Sequence, residues 1–124
     1  MPNQDISRKF DEAKPQIAKH WRSCRDAGLT GHSTAMTAKV DRALEDYVAA
    51  LAGITAKSRK KPIMKAMKAL FARLDEINRE AKGALLETDE REVLVPIITD
   101  LAEAAGLDVD EFSDGDPTFE FRNF

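Results

Sequence analysis

Between Pro62 and Gly83 the apolar residues Ile63, Met67, Leu70, Leu74, Ile77 and Ala81 recur at intervals of 4, 3, 4, 3 and 4. That spacing puts all six on one stripe of an α-helix. Met64 and Phe71 widen the stripe, while Lys65, Lys68, Arg73, Asp75, Glu76, Arg79, Glu80 and Lys82 occupy the other faces. A rod of this length, about 30 Å at the usual helical rise, needs apolar partners along its whole side. The same period supplies them. Ile6, Phe10, Ala13, Ile17, Trp21 and Cys24 step by 4, 3, 4, 4 and 3, and Met36, Val40, Leu44, Tyr47, Leu51 and Ile54 by 4, 4, 3, 4 and 3. Leu94, Ile97, Ile98, Leu101, Ala102 and Ala105 line a fourth helix. The pattern predicts an all-α, up-and-down four-helix bundle with helices near 4–28, 33–55, 62–83 and 88–106. Its short links favour antiparallel neighbours.

Residues at the predicted ends agree with this division. Asn3 or Asp5 can cap the first helix, and Ser33 or Thr34 the second. Pro62 suits the first position of the third helix, and Thr88 the N-cap of the fourth, with Leu85 or Leu86 packing back onto Val93 or Leu94. Gly28 before Leu29, and Gly106 before Leu107, predict the same left-handed cap at two C-termini. Pro15 and Pro96 interrupt the backbone bonding of the first and fourth helices, at about 3 kcal/mol for an interior position. Because the apolar phase continues across Pro15, one kinked helix or two short collinear ones are expected there.

After Leu107 the character changes. Asp108, Asp110, Glu111, Asp114 and Asp116 fall within nine residues, and Phe112, Phe119, Phe121 and Phe124 are four of the six phenylalanines. Disordered acidic tails are poor in aromatic residues. The expectation is therefore a bundle over residues 1–107 with an acidic, phenylalanine-rich tail over 108–124, packed on it as part of the same domain.

Charge sharpens the picture. The net charge is −3, yet residues 1–86 hold 17 Lys and Arg against 10 Asp and Glu, and residues 87–124 hold 2 against 12. The sequence is thus basic in its first two-thirds and acidic in its last third. A chain of 124 residues can bury roughly two-thirds of its unfolded surface without staples, and the single cysteine, Cys24, makes no internal disulfide. With no apolar leader near Met1 and no run of about 20 apolar residues, a cytoplasmic protein without membrane contact is expected.

Few chemistries survive inspection of the spacing. Aligning Gly115 with the sixth position of a calcium loop places Asp110 and Asp114 correctly, but puts Phe112 and Phe121 where oxygen ligands belong. There is no Glu-x-x-His pair of the di-iron type. His20 and Cys24, one turn apart, give two ligands, short of a closed zinc site. They are read as a polar-edge histidine beside a core cysteine. Neither a phosphate-binding glycine loop nor a nucleophile elbow occurs. Glu76 and Glu80 are read as solvated helix face, and Glu87, Asp89, Glu90 and Glu92 as helix-starting charge. The resulting expectation is a non-enzymatic protein with no catalytic residue, metal or cofactor.

Two charged segments remain as candidate partner surfaces. Lys57, Arg59, Lys60, Lys61, Lys65 and Lys68 lie in a stretch from Asp46 to Asp75 that contains no acid between its ends. They can contact phosphates of a nucleic acid, or pair with the acidic tail of the same chain or with a protein. No Tyr or Trp follows Tyr47 in that stretch to stack on bases. Asp108, Asp110, Glu111, Asp114 and Asp116 form the other candidate, suited to a basic protein partner. Met64, Phe71 and the tail aromatics offer a surface for homodimerisation.

Leu74, Ile77-Asn78, Leu86-Glu87-Thr88-Asp89-Glu90-Arg91-Glu92, Asp116-Pro117-Thr118 and the terminal Phe121-Arg122-Asn123-Phe124 together resemble a group of small bacterial all-helical proteins of no settled function. The likeness covers the last fifty residues, and Phe121 and Phe124 stand where those proteins typically carry tryptophans. It implies a compact bacterial bundle with an ordered tail and transfers no catalytic residue. By analogy, small acidic proteins of this build include toxin-neutralising immunity proteins. The favoured expectation is an interaction protein, of immunity type by that analogy, presenting acid to a basic partner such as a nuclease toxin; the alternative is a nucleic-acid-binding module using Lys57–Lys68.

Overall fold

Each of the four apolar stripes becomes the inner face of a helix. In the structure, a computed structural model that describes residues 4–124, these are α1 (Gln4–Asp26), α2 (Thr34–Ala52), α3 (Lys60–Glu80) and α4 (Thr88–Ala104). No strand occurs among the described residues. α1 lies against both α2 and α4, and α2 packs broadly on α3. One continuous core joins them, built from Ile6, Phe10, Ile17 and Trp21 of α1, Val40, Leu44 and Leu51 of α2, Ile63, Met67, Phe71 and Leu74 of α3, and Leu94, Ile98 and Leu101 of α4. Each such side chain contributes roughly 1.5–3 kcal/mol by leaving water. Two polar ties cross the core: Tyr47 Oη donates to the Ile98 carbonyl at 3.1 Å, and Trp21 Nε1 donates to Asp41 Oδ1 at 2.9 Å.

Helix ends follow local chemistry with some shifts. α1 runs unbroken through Pro15, and α4 through Pro96, so the alternative of two collinear helices at Pro15 is not what forms. The apolar face on both sides of each proline packs on its neighbours, which outweighs the lost backbone bond. Ser33 Oγ accepts from the Met36 amide at 3.2 Å and caps α2. Gly28 and Gly106 both have positive φ, with Leu29 donating to the Cys24 carbonyl and Leu107 to that of Ala102. These are the two expected caps. Pro62 is the third residue of α3, where a missing N–H still costs nothing. The N-cap of α4 is Glu87, with Thr88 inside the helix, because the Glu90 carboxylate reaches back to the Glu87 amide at 3.0 Å. Asp5 sits in the first turn of α1 and not at its cap, and Asn3 lies outside the described residues.

Two connections shape the site below. The α1–α2 link contains a 3-10 turn, Thr30–His32, pressed onto the α3–α4 link. A Cβ on Gly31 would stand 2.5 Å from the Ala84 carbonyl oxygen, so only glycine allows this approach, and it carries the adjacent His32 inward. In the α3–α4 link, Asn78 Oδ1 accepts from the amides of Leu85 and Leu86 at 3.3 and 2.9 Å, which lets both leucines be buried before α4 begins.

The acidic tail is an ordered strap. It forms 3-10 turns at Val109–Glu111 and Ser113–Gly115, and Phe112, Phe121 and Phe124 pack against the core. The Phe124 ring lies 6.0 Å from that of Phe71, Asn123 Nδ2 donates to Asp75 at 2.6 Å, and Lys60 Nζ meets Glu111 at 2.8 Å. The strap therefore runs beside α3 from its first turn to its later half. Phe119 is the exception among the tail rings, 74% exposed.

Candidate functional site

The inner side of α1 carries His20 and Cys24 one turn apart, α4 carries Glu90 in its first turn, and the Thr30–His32 turn carries His32. Helix packing brings all four together. His20 Nε2 and Glu90 Oε2 are 2.6 Å apart, Cys24 Sγ lies 3.5 Å from His20 Nε2 and 3.9 Å from Glu90 Oε2, and His32 Nε2 lies 3.3 Å from that same oxygen. Glu90 is 3% exposed and His32 1%. A buried carboxylate is tolerable only with close partners. Here one oxygen caps α4 through the Glu87 amide and the other faces the two imidazoles.

The cluster is polar and incompletely satisfied. Neither ring nitrogen of His32 forms a hydrogen bond, since its approach to Glu90 lacks the required alignment. Burial by itself would lift the Glu90 carboxyl, but the His20 bond, the Glu87 amide and the nearby His32 and His20 rings hold it below the usual carboxylate range. Burial, then the Glu90 charge and its bond to the thiol, push Cys24 up, so the sulfur is held as a neutral thiol. The Trp21 ring lies tilted against both histidines, 5.5 Å from His20 and 5.9 Å from His32. A cleft of about 350 Å³ lined by Leu29, His32, Glu87, Thr88, Asp89 and Glu90 borders the cluster on its His32 and Glu90 side. Nitrogen, sulfur and oxygen donors thus converge in the interior beside a surface cleft.

The two charged segments lie elsewhere, against each other. Glu111 pairs with Lys60, whose ammonium also sits 5.5 Å over the Phe112 ring. Arg59 donates to the Ile54 carbonyl at 3.0 Å and lays its stem against Gly106. Lys57, Lys61, Lys65 and Lys68 are exposed. In the strap, Asp108 accepts from the Asp110 amide, and Asp116 is held inside by Arg122 at 2.7 Å and by Thr118. Burial would raise the Asp116 carboxyl, yet Thr118 and Arg122 keep it low. Asp108, Asp110, Glu111 and Asp114 remain exposed. The basic and acidic segments thus meet at the ion pair of Lys60 with Glu111, while most of their other charges face outward.

Reading the sequence placed His20 beside Cys24 but did not bring Glu90 or His32 to them. Glu90 is separated from His20 by 70 residues, and its position as a helix-starting acid masked its second role. The usable signal was local: of the four acids at the start of α4, Glu90 alone falls one turn before the inward-facing Leu94. The fold and this cluster define the class of protein: a four-helix protein with a buried His, Cys and carboxylate centre and an ordered acidic strap. No protein-family model, curated protein or solved structure matches the chain. No helix among the described residues is long and apolar enough to cross a membrane.

Proposed function

We propose that the chain is a cytoplasmic, non-enzymatic protein–protein interaction protein of the immunity type, presenting its acidic strap to a basic partner such as a nuclease toxin. The observation that carries this reading is the way the strap is held. Three docked phenylalanines and the Asp116–Arg122 pair fix its backbone, so Asp108, Asp110, Glu111 and Asp114 are presented in a set arrangement. Phe119 projects beside them with the Arg122 guanidinium 5.6 Å from its ring, in the manner of an aromatic anchor within a charged rim. A pre-ordered acidic surface accelerates encounter with a basic partner and sets specificity more than raw affinity.

The test uses the partner recovered from the native cell with the full chain as bait. Neutralising Asp108, Asp110, Glu111 and Asp114 while sparing Asp116, whose carboxylate holds the strap, is expected to slow association about tenfold or more at low salt. Phe119→Ala is expected to act on dissociation instead. Association rates that do not move at low ionic strength reject the reading. A second reading draws on Lys61, Lys65 and Lys68, which follow one another at helical spacing as an exposed ridge on α3. That ridge suits a nucleic-acid backbone, and binding should then weaken steeply with salt. A gel-shift titration at low ionic strength without a complex disposes of it.

A further inference from the structure

Apart from the strap, the cluster around Glu90 is the place where side-chain chemistry is most concentrated. We propose that His20, Cys24 and Glu90 form a binding site for a borderline transition-metal dication of the zinc class, with His32 turning in as the fourth donor.

The donor atoms of His20, Cys24 and Glu90 all lie within 4.8 Å of one another. A tetrahedral ion with bonds of about 2.0 Å to nitrogen and oxygen and 2.3 Å to sulfur requires donor separations of roughly 3.3–3.7 Å. The sulfur–nitrogen distance of 3.5 Å already meets this, and the sulfur–oxygen distance of 3.9 Å is close to it. His20 and Glu90, hydrogen-bonded at 2.6 Å, have to part by less than 1 Å to admit the ion between them. Two of these donors share one helix a turn apart and the third is on a packed neighbour, so the framework is rigid where a site needs it.

His32 is the independent sign that the cluster lacks a member. A histidine this buried, with both ring nitrogens unbonded and one of them 3.3 Å from Glu90 Oε2, carries an unmet requirement that a bound cation satisfies. The close approach of Gly31 to Ala84, which a side chain would block, holds the turn that carries this ring. The cleft at Leu29, Glu87 and Thr88 reaches His32 and Glu90 from outside, and its acidic rim of Glu87 and Asp89 favours a cation. Mixed nitrogen, sulfur and carboxylate donors select zinc or cobalt over magnesium or calcium, which take oxygen alone. On binding, the Cys24 thiol gives its proton to solvent and ligates as thiolate, and the ion replaces the hydrogen bond between His20 Nε2 and Glu90 Oε2, whose proton is also released to solvent.

The experiment adds Co²⁺, and separately Zn²⁺, to the full chain after chelator treatment and dialysis under reducing conditions. Expected are one equivalent of Co²⁺ bound, the intense visible bands of a tetrahedral ion, a thiolate-to-cobalt charge-transfer band, and quenching of the single tryptophan, whose ring contacts both histidines. Cys24→Ser is expected to remove the charge-transfer band, and His20→Gln and His32→Gln each to weaken Zn²⁺ by about tenfold or more. Circular dichroism of each variant separates lost binding from lost fold. Because Cys24→Ser could itself disturb the core, the wild-type chain is also treated with a thiol alkylating reagent, and Zn²⁺ should protect Cys24. The proposal is overturned by no saturable binding at micromolar metal, by an octahedral cobalt spectrum, or by a charge-transfer band that persists in a folded Cys24→Ser chain. Undiminished affinity in His32→Gln would remove His32 from the donor set.

Discussion

Glu90→Ala is expected to destabilise the metal-free protein by about 3 kcal/mol or more, since removing a buried acceptor strands the donors it satisfied at about 1–3 kcal/mol each. Several losses combine at this one residue. The Glu87 amide at the start of α4 loses its acceptor, His20 loses a bond of 2.6 Å, and the buried His32 ring loses the carboxylate oxygen beside it, 3.3 Å away. A cavity also opens where the carboxylate stood. For a chain of this length the melting temperature should fall by on the order of 10 °C or more. Glu90→Gln should fall between wild type and alanine, since its amide oxygen can still accept from Glu87 and its NH₂ can still donate to a neutral His20. The pH dependence has a definite sign. Because the folded Glu90 carboxyl lies below its ordinary range, its contribution is complete above the unfolded value of about 4.3 and is lost as pH falls through the folded one. Urea midpoints for wild type and Glu90→Gln should therefore stand furthest apart near neutrality and converge in acid. A gap that widens below pH 4 contradicts the assignment.

Phe71→Ala is the second large effect, expected to cost about 3–5 kcal/mol in the core. Phe71 is 1% exposed and belongs both to the packed stripe of α3 and to the seat of the strap, through its contact with Phe124. Its removal should loosen the strap before it unfolds the bundle. Hydrogen exchange of amides in residues 108–124 should rise more than that of α1 and α2, and limited proteolysis should cut first near Asp114. Phe119→Ala provides the contrast. It removes a ring of similar size that covers little, and should leave stability within about 0.5 kcal/mol of wild type. Equal losses for Phe71→Ala and Phe119→Ala would mean that the strap is not seated as described.

Ile63, Met67, Leu70, Leu74 and Ile77 show why the helices were legible in the sequence. Their spacing is a property of neighbouring residues, and burying them is the largest favourable contribution to folding, so the pattern and the fold coincide. Gly28 and Gly106 were legible for a related reason, since a left-handed cap has a local requirement that few residues meet. Thr88 was misplaced by one residue because the competing acceptor, Glu90, was assigned to helix starting in general and not to the Glu87 amide in particular.

The four helices, their inner faces and the two glycine caps were determined by the sequence alone, because each depends on periodicity or on a single residue's backbone preference. The meeting of His20, Cys24, His32 and Glu90 was decided only by tertiary structure. It requires α1 to lie against α4, and the Gly31 backbone to press onto Ala84, before Glu90 and His32 come within reach of His20 and Cys24, which α1 alone holds a turn apart. The pairing of Lys60 with Glu111 is of the same kind, since charges far apart along a chain attract only after the backbone has brought them close.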